Sequence, residues 1–124
     1  MMSDKFLNAL EYVAGSDAHS IWKDLNPGVN IDVNSKDSMR ELICFFSFAI
    51  ERNIIVEYST EKNIPIFSGD APDVLASRIF QDFSEKVPNV PLLDPLSNDD
   101  FVAYLMFKRG WAVLVHGTCL MVPE

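Results

Sequence analysis

The spacing of apolar residues changes at Asn53, and this change restricts the folds that the chain can adopt. Before Asn53, apolar residues recur every three or four positions and predict an amphipathic helix over residues 37–51; they are Met39, Leu42, Ile43, Phe46, Ala49 and Ile50. Phe45 and Phe48 widen this apolar face, so we expect the helix to be covered on more than one side. From Asn53 to Tyr58, β-branched and aromatic residues instead predict a strand. A buried helix followed at once by a strand indicates a fold that contains both helices and a sheet.

A second apolar segment, Ile64 to Phe67, follows the polar residues 59–63. Together with the strand before it, this segment predicts a β-hairpin whose loop has the five residues 59–63. Pro65 has no backbone N–H to give to a neighbouring strand, so we expect the second strand of the hairpin at an edge of the sheet.

Capping and helix-ending residues indicate where the helices of the N-terminal half begin and end. Ser38 and Glu41 have the spacing of a capping box, in which each side chain accepts a hydrogen bond from a backbone N–H at the start of the helix. Ser16 is the predicted cap of a second short helix, which ends before Asn26. A first helix that ends at Gly15 is predicted from apolar residues at helical spacing; they are Phe6, Leu7, Leu10, Val13 and Ala14.

A third long helix is predicted to begin at Asp70. Asp70 is a suitable N-cap, Pro72 suits the first helical turn, and Asp73 complements the positive end of the helix dipole. Apolar residues four positions apart extend this helix to Val87; they are Leu75, Ile79, Phe83 and Val87.

The last quarter of the chain is predicted to form a three-stranded meander. Strands are indicated over residues 101–107, 111–115 and 118–122, with a turn at His116-Gly117. With the earlier hairpin, the expected antiparallel sheet has four or five strands, and about four helices cover one of its faces. The N-terminal half is mainly helical and most strands follow it, so the predicted class is α+β. The length of 124 residues fits a single domain, residues 1–124.

Residues that commonly bind metals or carry out catalysis show no recognisable arrangement. The possible metal ligands lack a paired spacing such as Cys-x-x-Cys; they are His19, Cys44, His116 and Cys119. The sequence therefore predicts no metal and no cofactor. His116 and Cys119 supply the residue types of a nucleophilic site, and a small hydrolase that uses them is one alternative. The apolar neighbours of Cys44 and Cys119 instead predict two buried free thiols.

Acidic residues outnumber basic residues, and they are concentrated in one part of the chain. Eighteen Asp and Glu against ten Lys and Arg give a formal charge of −8, which disfavours nucleic acids and anionic membranes as partners. Residues 70–100 hold seven acids and two bases, a formal charge of −5. We expect these acids to bind a cationic protein partner, unless the surface serves only solubility; they are Asp70, Asp73, Asp82, Glu85, Asp94, Asp99 and Asp100.

Neither a secretory signal nor a membrane-spanning segment is recognisable. The N-terminus lacks a basic start followed by a long apolar run. The longest apolar stretches, such as Val102 to Phe107, are far shorter than the roughly 20 residues of a membrane helix. A cytoplasmic location is therefore expected.

The order of the predicted elements resembles that of a known class of bacterial proteins. An Ile21-Trp22 pair follows the first helix, the hairpin ends in Ile66-Phe67-Ser68-Gly69, and the next helix closes on Val87-Pro88. This order is similar to that of immunity proteins of contact-dependent growth inhibition and related polymorphic toxin systems. The resemblance implies a cytosolic, non-enzymatic protein that neutralises a toxin domain, often a basic nuclease, by stoichiometric binding. Such a protein would be a monomer or a homodimer. The alternative is an adaptor or chaperone-like dimeric module that binds a peptide or partner at the open sheet edge near Ile64.

Overall fold

A computed structural model describes residues 2–26, 35–82, 103–115 and 119–123. These residues form five helices and a curled antiparallel sheet of four strands, in an α+β fold. The helices are α1 (Met2–Leu10), α2 (Ala18–Leu25), α3 (Ser35–Glu51), α4 (Pro72–Ile79) and α5 (residues 103–107). The strands are β1 (Ile55–Ser59), β2 (Ile64–Pro65), β3 (Trp111–Val115) and β4 (Cys119–Met121). The predicted class and the mainly helical N-terminal half are confirmed.

The sheet has the strand order β2-β1-β3-β4, and each neighbouring pair is antiparallel. Tyr58 lies opposite Pro65 and Ser59 lies opposite Ile64, which confirms the predicted hairpin. β2 is an edge strand, as the proline predicted. The hairpin loop consists of residues 60–63, one residue fewer than predicted, because β1 extends to Ser59.

The predicted C-terminal meander is wrong in its first strand. Residues 103–107 are helical, and the Lys108 N–H donates to the Tyr104 carbonyl at 2.9 Å. Tyr104 and Leu105 are both buried, although neighbouring residues in a strand would point to opposite faces. β3 lies between β1 and β4, and β4 falls where the last strand was predicted. The predicted turn at His116-Gly117 lies outside the described residues.

The start of α4 differs from the prediction in its cap. Ala71 is the N-cap residue and makes no capping hydrogen bond through its side chain, so the prediction of Asp70 as the cap is wrong. The carboxylate of Asp70 instead accepts a hydrogen bond from Arg78. Pro72 and Asp73 occupy the first turn, as predicted.

The end of α4 comes earlier than predicted. The helix stops at Ile79, because the backbone of Phe80 leaves the helical conformation with φ −103° and ψ 21°. The ring of Phe80 packs in the core, 4.9 Å from the ring of Phe46 and 6.0 Å from that of Trp111. The prediction that the same helix continues unbroken to Val87 is therefore wrong, and Val87 itself lies outside the described residues.

α2 and α3 also begin at residues other than those predicted. The N-cap of α2 is Asp17, whose carboxylate accepts a hydrogen bond from the Ser20 N–H at 2.8 Å. Ser16, the predicted cap, donates its hydroxyl to a backbone carbonyl of the turn after α1. α3 begins at Ser35, so Ser38 lies inside the helix and the predicted capping box is wrong.

Glu41 connects three helices rather than capping one. Its two carboxylate oxygens accept hydrogen bonds from the Lys5 ammonium group of α1 and from the Asn26 amide after α2, both at 2.6 Å. Lys5 also donates to the Asn26 side-chain oxygen at 3.1 Å. α1 itself ends at Leu10, and turns continue to Gly15, which has the positive φ of 75° that glycine adopts at little cost.

The core lies between the helices and one face of the sheet. Ile55, Trp111 and Val113 share that face and are fully or almost fully buried. The Phe46 ring of α3 meets the Trp111 ring edge to face, at 4.9 Å between centroids. Phe45, which was predicted to widen the apolar face of α3, is also completely buried. This confirms that α3 is covered on more than one side.

Candidate functional site

The hairpin ends in apolar side chains that the fold leaves exposed. Ile64 is 51% exposed, Ile66 38% and Phe67 80%. We call residues 64–67 the Phe67 segment. Single exposed apolar residues are common, but three of them within four residues, one an aromatic ring, are the kind of surface that can anchor a protein partner.

The backbone of the Phe67 segment is paired on one side. The Ile66 N–H donates to the Glu57 carbonyl at 2.9 Å. Because hydrogen-bonding directions alternate along a strand, the backbone groups of Pro65 and Phe67 point away from β1. Pro65 has no N–H, so a strand added at this edge would lack a donor at that position. The side chains of the segment are therefore its main recognition features.

Arg78 of α4 fixes the chain directly after the Phe67 segment. Its Nε and Nη2 atoms donate to the two carboxylate oxygens of Glu57, at 2.9 and 3.0 Å. Nη1 donates to Asp70 at 3.0 Å and Nη2 also donates to Ser68 at 2.9 Å. These four residues form what we call the Arg78 network. A bidentate guanidinium–carboxylate pair has a narrow geometry, so the network holds the Phe67 segment in one position against β1 and α4.

The Arg78 network leaves negative charge next to the Phe67 segment. Glu57 is only 8% exposed, and its hydrogen bonds to the guanidinium offset the cost of burying a carboxylate. Hydrogen bonds from Ser68 and Arg78 hold the pKa of Asp70 below its ordinary value, so this half-exposed carboxylate is ionised at neutral pH. One guanidinium and two carboxylates give the network a formal charge of −1.

The described part of the chain contains only some of the acids that the sequence assigned to partner binding. Asp70 and the exposed Asp73 lie together at the start of α4, beside the Phe67 segment in sequence. Asp82 lies past the other end of α4. The remaining acids lie outside the described residues; they are Glu85, Asp94, Asp99 and Asp100.

Asp82 belongs to a separate cluster with α5. Its Oδ1 atom accepts hydrogen bonds from the Tyr104 hydroxyl at 2.6 Å and from the Lys108 ammonium group at 3.1 Å. Burial alone would raise the pKa of Asp82, but the hydrogen bonds from Tyr104 and Lys108 outweigh it and hold the pKa below the ordinary value. Burial and the same hydrogen bond raise the pKa of Tyr104, which stays protonated. Lys108 thus balances the charge of Asp82 within the fold.

Neither a metal site nor a buried pair of thiols is found in the described residues. No three His, Cys, Asp or Glu side chains in these ranges lie close enough together to hold a metal ion. Cys44 and Cys119 are both exposed, so the prediction of buried thiols is wrong. Cys44 faces away from the core on α3, and Cys119 lies on the edge strand β4. His116, the other residue of the hydrolase alternative, lies outside the described ranges.

Sequence reasoning did not single out Phe67 or Arg78. The sequence showed Phe67 at the end of an edge strand, just before Ser68-Gly69, and a position of that kind is often exposed. Arg78 looked like a basic residue within an acidic helix, and nothing in its spacing indicated Glu57 as a partner, since the two residues are distant in sequence.

No protein-family model, curated protein or solved structure matches this chain. Within the described ranges, no helix is both long enough and apolar enough to cross a membrane. The candidate site therefore has to be interpreted from its own geometry.

Proposed function

We propose that this protein acts by stoichiometric binding of another protein, with the Phe67 segment as part of the contact surface. The observation that carries the proposal is an aromatic side chain that is 80% exposed on a segment fixed by the Arg78 network. A segment whose neighbouring residues are already held in place loses less backbone freedom on binding, which favours affinity. Buried aromatic anchors supply most of the binding energy of many protein interfaces.

The charge around the Phe67 segment indicates the chemistry of the partner. Asp70 and Asp73 follow the segment directly, and Glu61 precedes it in the hairpin loop. All three are exposed, and the chain as a whole has a formal charge of −8. A partner with an apolar pocket rimmed by Lys and Arg would complement this surface, since complementary rim charges steer association.

An immunity protein that neutralises a basic toxin domain is the specific form that we propose. Two features of the sequence support it: the order of the elements predicted from it is similar to that of such proteins, and its acidic residues would attract a basic nuclease-type toxin while they repel nucleic acid. The acids of residues 83–102 belong to this proposal as further candidates for the contact; they are Glu85, Asp94, Asp99 and Asp100. No catalytic step is assigned to the chain.

Co-expression with the product of the gene immediately upstream, as the candidate toxin, tests the proposal. Cells that carry the toxin domain should grow only when this protein is present, and the two proteins should purify as a complex. Phe67→Ala should weaken the complex by at least about tenfold, because truncation of an anchor commonly costs more than about 1.4 kcal/mol. Phe107→Ala is the matched control, since Phe107 is 77% exposed on α5 and is not part of the hairpin. Equal affinities of the two variants would remove the Phe67 segment from the contact, and unprotected cells without a complex would exclude the immunity function.

The salt dependence of association tests the acidic surface separately. Exposed charges are screened beyond about 8 Å at physiological ionic strength. The association rate constant should therefore fall markedly between low and high salt, while the dissociation rate constant changes less. An association rate constant that does not depend on salt would exclude electrostatic steering. The proposal that the two proteins bind each other would stand.

A further inference from the structure

The strand β4 forms the second edge of the sheet, and its outward backbone groups have no partner among the described residues. The Leu114 N–H donates to the Ile54 carbonyl at 2.8 Å, so the backbone groups of Leu114 point towards β1. The backbone groups of Val113 and Val115, on either side of Leu114, then point towards β4. In that pairing Val113 lies opposite Met121. The N–H and C=O of Leu120 consequently point away from the sheet.

β4 lacks the features that normally keep an edge strand from pairing. Edge strands are commonly blocked by proline, by charged side chains or by a bulge. β2 has Pro65 at an outward position, but in β4 the residues Cys119, Leu120 and Met121 are uncharged and exposed. The whole stretch of residues 110–123 contains no Asp, Glu, Lys or Arg.

We infer that a second copy of this chain pairs with β4 in antiparallel orientation and joins two four-stranded sheets into one. The distribution of charge favours this occupant. Each copy has a formal charge of −8, and none of it comes from residues 110–123. Two copies therefore meet with the least repulsion at this hairpin, whereas a basic partner would be drawn to the acidic part of the surface.

The direction of the backbone groups fixes the register of the pairing. A twofold axis through Met121 places Leu120 opposite Val122 of the second copy, and Val122 opposite Leu120 of the second copy. Leu120 points outward, and the same alternation continued one residue past β4 turns Val122 outward, so each of these pairs exchanges N–H and C=O hydrogen bonds. Met121 faces Met121 of the second copy in a non-hydrogen-bonded pair. Leu120 and Val122 of both copies lie on one face of the joined sheet and Met121 of both copies on the other, so each face gains contacts between exposed apolar side chains.

The oligomeric state of the full chain tests this inference. Analytical ultracentrifugation of the isolated protein between about 1 μM and about 1 mM should show a monomer–dimer equilibrium. Leu120→Lys should shift the dissociation constant upward by at least about tenfold, because symmetry places two lysines in the paired strands, one on each side of the axis. Ile64→Lys, at an exposed position on the other edge, should leave the equilibrium unchanged. A wild-type protein that stays monomeric at the highest concentration overturns the inference, as does a Leu120→Lys variant that still dimerises normally.

Cysteine cross-linking tests the register. In a Cys44→Ser/Cys119→Ser background, Met121→Cys places two thiols across a non-hydrogen-bonded pair, where Cα atoms are about 4.5 Å apart and a disulfide fits. Mild oxidation should cross-link this variant rapidly. Val122→Cys, whose thiols would lie diagonally about 7–8 Å apart, should cross-link more slowly. Faster cross-linking through Val122→Cys would exclude the proposed axis. Dimerisation of the isolated chain is measured without any toxin, so its failure is distinct from a failure of the proposed immunity function.

Discussion

At the scale of single residues, Arg78 is the side chain that connects the hairpin to α4. It holds a carboxylate of β1, a carboxylate ahead of α4 and a hydroxyl between them. Arg78→Met should lower the urea midpoint of unfolding, because Glu57 stays buried without a counter-charge. The double variant Arg78→Met/Glu57→Leu should recover most of that loss, since an apolar pair of similar volume replaces the ion pair. A double variant that is as unstable as Arg78→Met would show that the loss comes from packing instead of charge.

The Asp82 carboxylate gives a pH-dependent contribution to stability. Its pKa in the folded protein lies below the ordinary value of 3.8, so the ionised form favours folding. This contribution is complete above pH 3.8 and is lost as the pH falls through the lower, folded-state pKa. Asp82→Asn should therefore reduce the free energy of unfolding at neutral pH, and the difference from wild type should shrink below pH 3.8. Unfolding followed from pH 7 to pH 2.5 by circular dichroism measures the difference, with Glu61→Gln, at an exposed position in the hairpin loop, as a control that stays close to wild type.

At the scale of whole elements, the start of α2 depends on one side chain. Asp17→Ala should destabilise the protein by about 1 kcal/mol, because the Ser20 N–H loses the acceptor that caps the helix. Ser16→Ala, the change at the predicted cap, should cost less, since the Ser16 hydroxyl only closes a turn at a partly exposed position. Urea unfolding of the two variants compares them directly. A larger loss for Ser16→Ala would contradict the cap seen in the structure.

Phe46 of α3 packs against the end of α4 and against β3, so its removal should destabilise the contact among all three elements. Its ring contacts Phe80 after α4 and Trp111 of β3, each at 4.9 Å between centroids. Phe46→Ala should cost about 3–5 kcal/mol through lost burial and the cavity that remains. Phe67→Ala, which removes the same ring from an exposed position, should change stability by less than about 0.5 kcal/mol. Chemical denaturation of both variants provides the comparison, and similar losses would mean that Phe67 packs against the fold.

Element types were predictable where a long apolar pattern agreed with local turn chemistry, and they were not where tertiary contacts decided. The helix α3 and the β1–β2 hairpin follow from the pattern around Asn53. The apolar run of residues 101–107 favours a strand by composition, but residues 103–107 form a helix whose Tyr104 binds Asp82. Likewise α4 stops at Ile79 because Phe80 turns into the core. Contacts such as Tyr104 with Asp82 and Phe80 with Phe46 join residues far apart in the sequence, so the local spacing of apolar residues does not predict them.

At the scale of the whole molecule, the charge count indicates an acidic protein but not which carboxylates remain available to a partner. Asp70 and Asp82 are both paired with cations of the same chain, whereas Asp73 is exposed in the first turn of α4. An acidic patch predicted from composition therefore overestimates the free negative charge near α4. The exposure of Phe67 was not predictable in the same way, because exposure depends on which neighbours the fold supplies.

The excess of negative charge also acts on the stability of the folded chain. Because eighteen acids outnumber ten bases, the charges of the folded chain give a net repulsion. This repulsion is relieved when the chain unfolds and its charges move apart. The ion pairs of Arg78, Lys5 and Lys108 oppose this effect, but they join atoms within 3.1 Å and are partly shielded from solvent, so salt weakens them less. Added salt should therefore raise the melting temperature.

The expected rise between 10 mM and 150 mM NaCl is about 4 °C, which corresponds to about 1 kcal/mol for a domain of this size. Over that range the screening length falls from about 30 Å to about 8 Å, so long-range repulsion is removed while contacts are kept. A variant with Glu11→Gln, Glu61→Gln and Asp73→Asn, all exposed, has its formal charge reduced from −8 to −5 and should show a smaller rise. Differential scanning calorimetry at low protein concentration measures both without a contribution from dimerisation. A melting temperature that falls with salt would mean that the internal ion pairs, and not the net charge, dominate the electrostatics of the fold.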